Sequence, residues 1–156
     1  MKKIGEYTAR GVVTETETEA AGMQRISLFD GRFDTGYRVT SFKIWSSSYS
    51  DSTTPDCMGK LSKNDDGVTS ASNFMRADDN NQIAWAGAIG NADAFQAYAE
   101  IIDRDNMIIE DLYVYARTTT GSQATKINYL VELDKYDITD WQGALAMARD
   151  RAQGDL

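Results

Sequence analysis

Histidine is missing from this 156-residue chain, and cysteine and proline occur once each. Without imidazole there is no histidine general base, no histidine-dependent nucleophile triad, and little to build a zinc, copper or non-haem iron site; Cys57 has nothing of that kind to activate it. A single thiol cannot form an intrachain disulfide, so Cys57 reads as a small buried residue. No uncharged stretch reaches the ~20 residues needed to cross a bilayer. The start, Met1-Lys2-Lys3-Ile4-Gly5-Glu6-Tyr7, has positive charge with no apolar run behind it, so neither a signal peptide nor an anchor is expected. Gly-rich phosphate loops of the Walker or dinucleotide type are also absent. Basic residues are in deficit, 16 against 24 acidic ones, for a formal charge of -8. No stretch gathers Lys and Arg densely enough to reverse that locally, so neither nucleic acid nor an anionic membrane is expected as a partner. No cofactor or metal is expected either.

What the chain does have is short apolar runs punctuated by Gly, Asn, Asp, Ser and Thr, the pattern of many strands rather than long helices. Eight candidate strands follow: Tyr7 to Val13, Met23 to Phe29, Tyr37 to Trp45, Cys57 to Lys63, Gln82 to Ala88, Ala94 to Ile102, Met107 to Arg117 and Thr125 to Tyr136. In the last, Ile127, Tyr129, Val131 and Leu133 alternate with Asn128, Leu130, Glu132 and Asp134, as a half-buried strand demands. Leu112, Val114 and Ala116 alternate in the same way, and a turn over Thr118 to Ser122 would make these two segments a hairpin. The alanines, Phe95 and Tyr98 of Ala94 to Ile102 would also suit a helix. The run Thr14 to Glu19, Thr-Glu-Thr-Glu-Thr-Glu, is expected as an exposed edge strand or loop, because its like charges discourage pairing.

Residues 139 to 153 break the two-residue period, since Trp141, Ala144, Leu145, Ala148 and Ala152 fall at helical spacing. Thr139-x-x-Gln142 has capping-box spacing and Gly154 is placed to end the helix. Length allows one domain that buries about 70% of the surface its unfolded form exposes. The expected architecture is therefore all-β: an antiparallel, jelly-roll-like β-sandwich over 1–138, with a short C-terminal α-helix and tail over 139–156 in the same domain. Trp141 and Leu145, with Met147 off their face, are the candidate assembly-interface residues; the helix either covers its own sheet or docks on a neighbouring copy.

The long polar segments, Ser46 to Asp56 and Asn64 to Asn81, could carry partner contacts, though solvated turn chemistry explains them as well. Asp103-x-Asp105-Asn106 and Asp78-Asp79-Asn80-Asn81 offer hard oxygen ligands without the spacing of an EF-hand, so calcium is conceivable and not expected. Trp45, Trp85, Trp141 and eight tyrosines could form a sugar-stacking platform for a surface glycan, although core or interface is the more ordinary use. A pair of carboxylates can run glycoside hydrolysis, but nothing in the sequence selects a pair from 24. With no catalytic set visible, the residues point to a structural or binding component rather than an enzyme; a carbohydrate-binding module is the main alternative, and a carboxylate-dependent glycoside hydrolase a further one.

From Asp103 the chain reads Asp-Arg-Asp-Asn-Met-Ile-Ile-Glu-Asp-Leu-Tyr-Val-Tyr, then a polar turn. It continues Ile-Asn-Tyr-Leu-Val-Glu-Leu-Asp-Lys-Tyr-Asp-Ile-Thr-Asp-Trp-Gln-Gly-Ala-Leu-Ala-Met-Ala-Arg-Asp-Arg-Ala-Gln. This part, about a third of the chain, resembles the C-terminal region of small virion-associated proteins of marine bacteriophages. Gln82-Ile83-Ala84-Trp85-Ala86 and Phe29-Asp30-Gly31-Arg32-Phe33-Asp34 look similar too. The resemblance carries no catalytic signature. It implies a capsid or capsid-surface role, in which the protein is made in the host cytoplasm, resides in the virion as a shell or decoration component, and has copies of itself and other virion proteins as partners.

Overall fold

The computed structural model describes residues 2–15, 21–29, 31–32, 34–47, 56–65, 74–91, 94–118, 126–138 and 145. Eight strands run through them: β1 (Lys2–Thr14), β2 (Gly22–Ile26), β3 (Thr35–Ser46), β4 (Cys57–Ser62), β5 (Gln82–Asn91), β6 (Ala94–Ile102), β7 (Leu112–Thr118) and β8 (Lys126–Asp137). Every expected strand is present. The segment Ala94–Ile102 is a strand, because a ladder with β5 supplies the hydrogen bonds that its helix-compatible composition left undecided.

The strands form two antiparallel sheets, ordered β1-β8-β3 and β2-β7-β4-β5-β6. The ladders β1–β8, β2–β7 and β4–β5 are those of one long hairpin rolled onto itself, the jelly-roll pattern. The remaining pair of that scheme, β3 with β6, is made differently. β6 pairs with β5, and its Glu100 carboxylate reaches β3, accepting from the Phe42 amide at 2.8 Å and the Ser41 hydroxyl at 3.0 Å.

Period-two alternation fills the space between the sheets. Ala9 and Val13 of β1, Phe42 and Ile44 of β3 and the Ile127-Tyr129-Val131-Leu133 row of β8 come from one side, and Leu61, Leu112, Val114 and the alanines 84, 86 and 88 from the other, forming one buried cluster. The sheets approach closely at Gly59, where an added Cβ would lie 3.1 Å from the Ile44 side chain of the facing sheet. At Gly22 it would lie 2.0 Å from the Thr14 carbonyl oxygen, so only glycine lets β2 leave β1 there.

Three expectations need correction. β7 and β8 do not form a hairpin: β7 is paired on its two edges with β2 and β4, and β8 with β1 and β3, so neither has an edge left for the other. Met107 to Asp111 lies outside β7, and Ile108 instead exchanges two backbone bonds of 2.7 Å with Tyr37. In the Thr-Glu run, Thr14 ends β1 and Glu15 is fully buried rather than exposed; Glu17 and Glu19 lie outside the described residues. The expected helix over residues 139–153 also lies outside them, apart from Leu145, which is helical.

Candidate assembly surface

Several carboxylates tie the chain to itself. Glu15 accepts from the Thr118 amide at 3.1 Å and its hydroxyl at 2.7 Å, joining the end of β1 to that of β7. Asp111 accepts from the Leu28 amide at 3.2 Å and from Arg25 Nε at 2.7 Å. Asp103 accepts from the Asp105 amide and Asn106 Nδ2, while Lys63 donates to Asn106 Oδ1 at 3.2 Å. In the second acidic loop, Asp79 accepts from the Asn81 amide and Gln82, and Arg76 holds the Asp78 carboxyl below the usual carboxylate range through their hydrogen bond. Among the described residues, no three His, Cys, Asp or Glu side chains converge as a metal site. Burial pushes the Cys57 thiol up to about 12, with the Glu15 and Asp56 carboxylates adding to the shift, so at neutral pH it is an inert thiol.

The outer face of the five-stranded sheet is divided. Over β4 and β7 it is covered: Phe74 packs with Tyr115, and the fully buried Lys60 ammonium lies 4.7 Å from the Phe74 ring centroid and 5.0 Å from that of Tyr115. Tyr115 donates its hydroxyl to Asp65 at 2.5 Å, closing this cover. Over β5 and β6 large apolar side chains are exposed. After Ile83, which belongs to the core, strand β5 turns its small side chains inward, Ala84, Ala86 and Ala88, and Trp85 and Ile89 outward. Ile101 of β6 stands opposite Trp85, and Ala99 opposite Gly87. Ile89 is 63% and Ile101 68% exposed, the two most exposed large apolar side chains among the described residues. Trp85 is half-buried and fixed, its Nε1 donating to Gln82 Oε1 at 2.8 Å. The result is a flat strip of Trp, Ile, Ala and Gly with no charge at its centre.

Of the three interface residues expected from sequence, Leu145 is 59% exposed, while Trp141 and Met147 lie outside the described residues. Ile89 and Ile101 were missed, although their signal was visible: β5 is apolar on both faces, with the bulk on the side facing away from the core. Trp45 lies on the opposite side of the molecule, beside Asn128 on the outer face of the three-stranded sheet. Among the described residues no helix is long and apolar enough to cross a membrane. No protein-family model matches the chain, and no curated protein matches it significantly.

Proposed function

We propose that this protein is a non-enzymatic structural component of a phage particle, a shell or decoration subunit that works by packing against copies of itself and other virion proteins. The observation that carries this reading is the exposed apolar strip over β5 and β6, where large apolar side chains point out of a sheet that is covered over β4 and β7. An apolar strip of this kind on a protein of net charge -8 favours a specific protein partner, while the net charge discourages nonspecific association. The likeness to virion-associated proteins in the second half of the chain and the jelly-roll order, which many shell and surface domains share, point the same way; the fold alone does not assign the role. Mass spectrometry of purified particles from the source is the direct test. The chain should be present in many copies, and its absence from every particle fraction refutes the proposal.

A second reading rests on Trp85. Its ring is held by Gln82 beside Gly87 and Ala99, small residues that leave its surroundings flat enough for a sugar ring to stack. Glycan-array binding lost in Trp85→Ala would favour this carbohydrate-binding role over assembly.

A further inference from the structure

We infer that the free edge of β1 is a self-complementary docking strand, pairing antiparallel with β1 of a second copy about a two-fold axis at Thr8 and joining two three-stranded sheets into one of six strands. Among the described residues β1 ends its sheet, bonded to β8 on one side only, and it is exposed along most of its 13 residues. Such a long edge offers unpaired backbone donors and acceptors to another strand. Its lysines and its one irregularity, at Ile4, stand at its beginning; from Gly5 to Thr14 the register with β8 is unbroken, and the charges there, Glu6 and Arg10, are of opposite sign. The occupant follows from the side chains. Centred on Thr8, an antiparallel copy sets Glu6 opposite Arg10, Arg10 opposite Glu6, Gly5 opposite Gly11 and Tyr7 opposite Ala9. Centring on Glu6 or on Arg10 would instead put like charges face to face. Glu6, Thr8, Arg10 and Val12 share one face of the strand, so the two ion pairs and Thr8 form a row across the junction; Arg10 has no ion pair among the described residues, and Glu6, 2.9 Å from Lys3 Nζ, would join both cations. Two-fold symmetry makes every contact occur twice.

This deepens the assembly reading by naming one contact of the subunit, and the test separates the two. Glu6→Arg and Arg10→Glu should each weaken self-association about tenfold in analytical ultracentrifugation at low salt. The double variant E6R/R10E should recover it. An equimolar mixture of the two single variants should form a heterodimer, because the first carries only basic side chains at these two positions and the second only acidic ones. Thr8→Cys should be joined into a covalent dimer by a short bifunctional thiol reagent, since residues meeting on the axis bring their Cβ atoms to about 4.5–5.5 Å, slightly beyond the reach of a relaxed disulfide; Cys57 is buried and does not compete. Wild-type protein that self-associates with both single variants equally strong overturns the β1 contact and leaves assembly standing. A monomer at every concentration overturns the β1 contact as well, and absence from particles then removes the assembly reading too.

Discussion

Cys57 shows how a residue that looks reactive in sequence is made inert by position. It sits at the start of β4 with its side chain in the core, beside buried Glu15, so both desolvation and a neighbouring carboxylate disfavour the thiolate. The linkage has a definite sign. Below pH about 9 the thiol is protonated in folded and unfolded chains alike; between there and about 12 the unfolded chain gives up its proton while the folded one keeps it. Folded protein then holds more protons, and stability falls as pH rises through that window. Tyr129, whose hydroxyl is also raised by burial, adds a slope of the same sign. Urea titrations from pH 8 to 11 should therefore show a shallower alkaline decline in Cys57→Ala than in wild type, and native protein at pH 8 should resist thiol reagents until denatured. Rapid native labelling would show that Cys57 is not held as described.

At the scale of the element, strands were legible and their partners were not. Two-residue alternation places the apolar face of β8 and β7 correctly because it depends only on local geometry and burial. Which edge each strand bonds depends on the whole chain, and the expected β7–β8 hairpin failed because both strands are central in different sheets. Glu15 failed for a related reason: in sequence it is one acid in an alternating run, and only the arrival of Thr118 offsets the cost of its burial. The candidate surface was half-legible, since Trp85 stood out as an aromatic while Ile89 fell beyond the expected end of its strand at Ala88 and Ile101 was one apolar residue of a segment that also suited a helix. Glu100 was illegible as a fastener of β6 to β3. Replacing it by Ala leaves the Phe42 amide without its partner, and should cost about 1–2 kcal/mol for a part-buried, charge-assisted pair. Hydrogen exchange should localise the loss to β6 and the middle of β3. Uniform weakening of all eight strands would instead show that β6 is not separately fastened.

For the whole molecule, the question is whether the exposed strip over β5 and β6 belongs to the monomer or to its assembly. Core and strip are built from the same residue types, so stability separates them. Phe42→Ala, with its side chain fully enclosed between the sheets, should cost about 3–5 kcal/mol. Ile89→Glu with Ile101→Glu should do the opposite of what an apolar-to-charged change does in a core: both side chains already face water in the isolated chain, so the urea midpoint should barely move, within about 0.5 kcal/mol. Binding to the partner should collapse, because two carboxylates would have to be desolvated against an apolar face. Particle incorporation measured beside the unfolding curve gives both readings from one variant. A folded, stable double variant that still enters particles at the wild-type level would remove the strip from the assembly contact. A double variant that unfolds would show that the strip is covered within the monomer, and the outward bulk of β5 would then be part of its own core.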